Sequence, residues 1–426
     1  MKKRLLSLFS GCGGLDIGFE GGFKILKSTL NTNIHNNWID SEDQIYYHLK
    51  KNSFDTVFAN DINESAKIAW SNYFSKIKTS DVSNIYQVKS IVDIVKEFKN
   101  GNTNVLPSNI DILTGGFPCQ DFSVAGKRNG FKSHKDHNGK LIVSDIPSEE
   151  TRGKLYMWMK EVIEITRPKI FIAENVKGLA NLGAVKDIIQ ADFSSIGDDG
   201  YIVLSPQILH AGKYGVPQSR ERIFFVGFKK SALTIKAKIE LLKDSIDQCY
   251  SPYPNPTHFL DNTMPTSLFE KDLKPFVGCG KVLSDLVEPN VSSDPSQQYY
   301  SKAKFMGNHC QGQKEVDLDK LAPTIRSEHH GNIEFRRLSL ENNGTKSTEL
   351  LNNLKERRLT LRECARIQTF PDNFDFVINN QSGRTKFKLS PSQGYKLVGN
   401  AVPPLLAYHF AKKIEKNWNF YFENNS

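Results

Sequence analysis

Arg4-Leu5-Leu6-Ser7-Leu8-Phe9-Ser10-Gly11-Cys12-Gly13-Gly14-Leu15 runs from a short apolar stretch straight into a glycine-rich turn. Leu5 to Phe9 read as a buried strand, and the glycines mark a sharp turn before an amphipathic stretch. Strand, glycine-rich turn and helix in that order open an α/β sheet, and such a turn lets a nucleotide-like ligand approach the backbone. The same letters imitate a secretory leader, because Lys2, Lys3 and Arg4 come first and Ser10-Gly11-Cys12 resembles a lipoprotein cleavage site. A leader needs roughly 7 to 15 apolar residues, whereas here Ser7 interrupts the run and glycines end it. The strand explains the letters better, and the protein is expected in the cytoplasm.

Outward from this stretch, Thr56–Ala59, Ile110–Thr114, Ile170–Ala173, Ile202–Leu204 and Ile223–Phe228 read as further strands. Helical patterns fall between them at Glu64–Phe74, Val88–Phe98 and Lys154–Thr166. This alternation predicts an α/β fold with a doubly wound, mixed but mostly parallel sheet, whose strand ends line a ligand crevice. After about residue 229 the rhythm fails, and Pro252, Pro254, Pro256, Pro265, Pro275, Pro289 and Pro295 punctuate a polar stretch reaching roughly residue 350. Patterning resumes at Arg357, with a helix over Leu359–Gln368 capped by Thr360 and Glu363. A last helix is expected over Pro404–Lys416, followed by a frayed Asn-rich tail.

The chain has 426 residues, 38% hydrophobic and 24% charged, which excludes a mainly disordered or collagen-like chain and suggests two or three domains. No run approaches the roughly 18 apolar residues of a spanning helix, and the mean hydropathy is −0.44. A net charge of +9 raises the prospect of a polyanionic partner, although many basic proteins bind none. Residues 229–356 are balanced, with 17 basic and 17 acidic side chains, so the surplus lies on either side. The six cysteines are scattered without a C-x-x-C pair, which fits a reducing compartment. Cys279, His309, Cys310, His329 and His330 match none of the usual zinc spacings, and no metal is expected.

Five places carry candidate chemistry. The turn Phe9–Gly14 is neither G-x-G-x-x-G nor G-K-[ST], which favours a ligand with adenosine but no phosphate. Asp61 and Asp81 stand at the expected ends of the next strands, placed for a ribose hydroxyl or an adenine amino group, or equally as helix caps. Cys119 sits at a loop entrance beside Pro118, with Lys127 and Arg128 following to favour a thiolate; otherwise it is small filler. Glu174 leaves an apolar run, where partial desolvation keeps a carboxyl protonatable near neutrality. Arg220 and Arg222 fall on one side of a strand, either clamping an anion or carbonyl oxygen or pairing with Glu221.

Taken in order, F-S-G-C-G-G (9–14), G-F-P-C-Q (116–120), E-N-V (174–176), Q-S-R-E-R (218–222), R-R-L-T-L-R-E-C-A-R-I-Q-T-F-P (357–371) and G-N-A-V-P-P (399–404) form a set. It resembles the cytosine-C5 DNA methyltransferase family of bacterial or phage restriction-modification type, over residues 4–228 and 357–415. The resemblance implies a Rossmann-like catalytic domain over 1–228 and a smaller target recognition domain over 229–356. Residues 357–426 would return, with 357–390 bridging to the recognition domain and 391–426 completing the catalytic one. It further implies an S-adenosyl-L-methionine pocket lined by Phe9, Gly11, Cys12, Gly13, Asp61, Ile62, Asp81, Val82, Gly116, Leu155, Asn400 and Ala401. Cys119 would be the nucleophile that adds to cytosine C6, Glu174 would hold or protonate N3, and Arg222 would grip O2. Arg220 would be structural or support Glu174.

The resemblance also makes Ser123–Arg152 a loop that closes over a flipped base, with Ser123, Lys127 and Arg128 as phosphate contacts and Gln218 at the DNA. Within 229–356 the candidate reading loop is 323–332, with Arg326 and His329 foremost; a surface hairpin is the plain alternative. Position 61 is Asp where the family usually has Glu, and residues 26–55 and 132–150 look like insertions. The expected partners are double-stranded DNA and, without a stable complex, a restriction endonuclease; a monomer and no membrane contact are expected. A tRNA cytosine methyltransferase would carry a smaller insert than 229–356, and a catalytically silent DNA-binding regulator would have no need of Cys119, Glu174 and Arg222.

Overall fold

The computed structural model describes residues 2–118, 155–181, 185–260, 271–307, 309–327, 333–380 and 385–423. Strand β1 (Lys3–Leu8) leads into helix α1 (Gly14–Glu20), then a small antiparallel sheet of β2 (Lys24–Leu26), β3 (Ile39–Glu42) and β4 (Tyr46–Leu49), with the short α2 (Thr32–His35) between. The alternation then continues through β5 (Phe54–Asp61), α3 (Glu64–Ile77), β6 (Tyr86–Val88), α4 (Ile91–Lys99), β7 (Ile112–Gly116), α5 (Leu155–Thr166), β8 (Ile170–Val176) and α6 (Val185–Ser194). Three more strands, β9 (Tyr201–Val203), β10 (Gln207–His210) and β11 (Glu221–Lys229), close the first half.

Among the described residues the main sheet has eight strands in the order β10-β11-β8-β7-β1-β5-β6, with β9 also paired to β11. The pairs from β8 through β6 are parallel, and β11 is antiparallel to β8, β9 and β10. The sheet is therefore mixed and mostly parallel, as the sequence predicts. From β1 the chain winds outward to β5 and β6, then crosses back to β7 and β8 on the other side. That reversal places a crevice outside the C-terminal ends of β1, β5, β7 and β8. Successive residues face opposite layers: Leu5, Ile112, Ile172 and Phe224 join one core, and Leu6, Leu113, Phe171 and Phe225 the other.

Several expected boundaries move. Helix α4 begins at Ile91 rather than Val88, because Ser90 caps it and Val88 pairs with Asp61 on the sheet. Asp81 does not end a strand; it lies in the connection before β6. The stretch after residue 229 starts on the sheet-bearing body: α7 (Ile235–Leu241) follows Thr234, whose N–H donates to Tyr421 O at 2.8 Å, and Tyr253 Oη donates to Phe224 O at 3.1 Å.

Short helices α8 (Gly280–Leu283), α9 (Pro295–Gln298) and α10 (Ser347–Leu351) follow, then α11 (Leu361–Ile367), α12 (Pro391–Asn400) and α13 (Pro404–Phe422). The capping box of Thr360 and Glu363 forms as the sequence predicts. Helix α13 runs six residues past Lys416, where a frayed tail was expected, because Trp418 and Tyr421 are buried. Ion pairs of two buried arginines fasten the return segment: Arg357 bonds Glu288 and Glu363, and Arg366 bonds Asp285 and Asp372. The inserted small sheet joins this network, with Tyr46 Oη donating to Asp372 at 2.6 Å. Among the described residues no helix is long and apolar enough to cross a membrane.

Candidate active site

The turn after β1 is held from both sides. Ser10 N donates to Asn60 O at 2.8 Å, Gly13 N to Ser10 O at 2.9 Å, and Tyr86 Oη to Gly11 O at 2.8 Å. Phe9 has φ +51°, a left-handed conformation uncommon outside glycine, which marks a backbone shaped by its surroundings. At Gly11 (φ +52°) the space a Cβ would enter is open, leaving a cradle beside the backbone. Asp61 ties the end of β5 to this turn, accepting from Gly11 N at 3.1 Å and from Asn63 N at 3.0 Å. Ile62, next in sequence, leaves 43% of its surface exposed at the crevice side of the sheet. Asp81 accepts from Ser83 N and Ser83 Oγ, bonds that hold its carboxyl below the usual range, and Val82 beside it is buried.

The return segment reaches the same turn. A Cβ on Gly14 would strike Val402 O and meet the Ala401 methyl, so the end of α12 at Asn400 and Ala401 sits against the start of α1. Cys12 points the other way: its buried thiol donates to Leu397 O at 3.6 Å, and burial pushes the thiol pKa up. Only its backbone is available to a ligand on the crevice side. Leu155 opens α5 and is buried in the core shared with Leu8 and Phe117.

Glu174 stands opposite Gly116 across β7 and β8, and Phe224 of β11 pairs with it from the other side. It approaches the backbone closely at 116, where a Cβ would lie 2.8 Å from Glu174 Oε2 and would push the carboxylate aside. Arg222 Nε meets Glu174 Oε1 at 2.9 Å, with both side chains nearly buried. Burial raises the Glu174 pKa above the usual carboxyl value, and the charges of Arg222 and Arg220 oppose that rise without cancelling it. The alternative partner is taken: Glu221 bonds Lys177 at 2.8 Å. This is a desolvated carboxyl able to hold a proton, backed by a guanidinium, at the mouth of a ligand crevice.

Sequence reasoning assigned no role to Asn175, yet its buried Nδ2 donates to Phe117 O at 3.2 Å and so fixes the backbone two residues before Cys119. Its only signal in the sequence is its place beside Glu174. Cys119 itself, together with Ser123, Lys127, Arg128 and His329, lies outside the described residues. Gln218, placed at the DNA by the resemblance, is fully buried, and its Oε1 accepts from Ile325 N at 3.2 Å. Arg220 is buried too, donating to Ile325 O and Gly399 O. Arg326 is partly exposed and pairs with Glu334 at 3.2 Å.

Comparison with known proteins agrees with this arrangement. The family model for C-5 cytosine-specific DNA methylase matches residues 3–416. The chain is 30% identical over 425 residues to Type II methyltransferase M.BsuRI of Bacillus subtilis, covering 98% of this chain and 80% of that protein. It is 30% identical over 436 residues to Type II methyltransferase M.FnuDI of Fusobacterium nucleatum, covering 97% and 94% respectively. Among solved structures, a Spodoptera frugiperda DNMT2 variant superposes with a TM-score of 0.52 at 17% identity, over 97% of this chain and 99% of that one. The S. pombe Dnmt2 methyltransferase gives a TM-score of 0.51 at 16% identity, over 97% and 99%, a likeness of fold. With the glycine-rich turn, the Glu174–Arg222 pair and a family match along nearly its whole length, the chain belongs to the C-5 cytosine-specific DNA methylases and is a DNA cytosine-C5 methyltransferase.

Proposed function

We propose that this enzyme methylates C5 of one cytosine within a short double-stranded DNA site, protecting that site from a companion restriction endonuclease with which it forms no stable complex. The buried Glu174–Arg222 pair at the crevice mouth carries the reading. Cytosine C5 is too weak a nucleophile to be methylated directly, so Cys119 adds as thiolate to C6 and makes C5 enamine-like. Glu174 holds a proton at N3, drawing off the charge that builds on the ring as the C6–S bond forms, and Arg222 keeps Glu174 aligned and faces O2. Once C5 carries the methyl group, a water molecule takes the C5 proton, the C6–S bond breaks with its electron pair returning to Cys119 as thiolate, and Glu174 takes back the N3 proton, restoring the aromatic base. The target base lies inside the duplex stack, so it must leave the stack, at a cost of a few kcal/mol offset by protein contacts.

S-adenosyl-L-methionine fits the open cradle at Gly11, the exposed Ile62 and the Asn400–Ala401 segment seated on Gly14. When bound it supplies an electrophilic methyl group. Residues Phe9, Gly11, Gly13, Asp61, Ile62, Asp81, Val82, Gly116, Leu155, Asn400 and Ala401, with the backbone of Cys12, would hold it. We assign 1–228 and 391–426 to the catalytic domain, with 229–259 packed on it, target reading to 260–356 and a bridging role to 357–390; Arg326 is a candidate DNA reader, and His329, outside the described residues, is another. The names of the relatives, Type II methyltransferases, support a restriction-modification role, and we take the protein to act as a monomer in the cytoplasm. Bisulfite sequencing of DNA treated with the protein should show protected cytosines at one recurring short sequence; protection scattered without a shared sequence would refute a Type II role.

A further inference from the structure

One guanidinium joins three parts of the molecule that come from distant stretches of chain. Arg220 is buried, its Nη1 donating to Ile325 O at 3.1 Å and its Nη2 to Gly399 O at 3.0 Å. The first carbonyl lies within the candidate DNA-reading loop 323–332, and the second precedes Asn400 at the cofactor pocket. Its charge also acts on Glu174.

The surroundings make this a designed junction. Ala322 N donates to Pro217 O at 3.1 Å, Ser219 N to Ala322 O at 2.8 Å and Ile325 N to Gln218 Oε1 at 3.2 Å, so 322–325 is stitched along 217–220. From the opposite side, a Cβ on Gly399 would collide with the carbonyl of Arg326, so the Arg326–Ser327 peptide rests directly on Gly399. The return segment is anchored on either side of this point by Leu397 O, which accepts from the Cys12 thiol, and by Val402 O against Gly14. The reading stretch and the cofactor-closing peptide therefore share one seat, and the planar fork of Arg220 spans it.

We infer that Arg220 is a positioning residue that holds the reading stretch at Ile325–Ser327 and the pocket-closing peptide Gly399–Asn400 in one fixed arrangement beside Glu174. The inference rests on the function proposed above. A lysine keeps the charge but is a single compact donor without a fork that spans both carbonyls. In Arg220→Lys, KM for duplex DNA and KM for S-adenosyl-L-methionine should rise together, by about tenfold each, more than kcat falls. Bisulfite sequencing should show added methylation at sites one base pair from the preferred one. The pH profile should stay in place in Arg220→Lys and move to higher pH in Arg220→Gln, because removing a positive charge raises the Glu174 pKa.

Gly399→Ala presses on the same seat with Arg220 intact, and keeps the test decisive if Arg220→Lys fails to fold. It should give the same paired rise in KM. A change in kcat alone, or unchanged KM values in the folded variants, would overturn the inference. Wild-type protein that transfers no methyl group to DNA would instead overturn the proposed function, so the two failures are distinguishable.

Discussion

Replacing Glu174 by Gln tests the chemistry at its centre. The glutamine keeps an oxygen facing Arg222 Nε, which the carboxylate now meets at 2.9 Å, and it keeps the shape that fits against Gly116. What it removes is the exchangeable proton and the charge. Loss of a positioned acid–base group lowers rate by about 10²- to 10⁴-fold, or ~3–6 kcal/mol of barrier. The charge-assisted bond to Arg222 becomes a neutral one, a stability loss of about 1–2 kcal/mol that leaves the protein folded. Single-turnover methyl transfer at saturating DNA and cofactor would report the rate, and fluorescence anisotropy of a labelled duplex would report binding. The expected result is a large fall in rate with DNA affinity within about threefold of wild type. The pH profile gives a second reading: burial raises the Glu174 pKa, so the protonated form persists to higher pH than in an ordinary carboxyl, and activity that needs it falls as pH rises past that value. That limb should vanish in the Gln variant. Equal losses of rate and affinity would refute the role assigned to Glu174.

Gly116→Ala should push the Glu174 carboxylate aside, since the added methyl would lie 2.8 Å from Oε2; a shift of about half an ångström should cost roughly tenfold in kcat, and an unchanged kcat would show that the close approach is irrelevant to turnover. Thr360→Ala removes a buried capping box and a 2.6 Å bond to Gln297, so urea denaturation should show a loss of about 1–2 kcal/mol; a midpoint equal to wild type would contradict it. His258 is buried and His35 half-buried, and their pKa values fall from 6.5 to about 4. The unfolded chain therefore takes up protons at higher pH than the folded one, and stability should drop as pH falls from 6.5 toward 4, by about 3 kcal/mol per histidine at the limit. Asp16, raised to about 6 by burial, works in the opposite direction over part of that window. Urea midpoints that stay flat or rise as pH falls from 6.5 toward 4 would count against this balance.

The legible parts of the fold are those set by short-range pattern. The run Leu5–Leu8 is apolar at every position but Ser7, as a central strand buried on both faces requires, and the Thr360–Glu363 box is complete within four residues. Helix α13 outran its expected end because what holds Trp418 and Tyr421 in place comes from elsewhere: Tyr421 Oη donates to Tyr250 O at 2.6 Å. Gln218 shows the same limit at the site. The resemblance puts it at the DNA, and the partner that holds its side chain, Ile325, is more than a hundred residues away in sequence. Asn175 was quoted within a motif, but its bond to Phe117 O depends on how β7 and β8 lie together, which no local pattern displays.

The central claim is tested most directly by transfer of a labelled methyl group from S-adenosyl-L-methionine to unmethylated duplex DNA, with Cys119→Ser protein and tRNA as parallel controls. Label in DNA that disappears with the serine variant and is absent from tRNA is the predicted result. Label in tRNA alone, or in DNA at the same rate without the Cys119 thiol, would contradict the account.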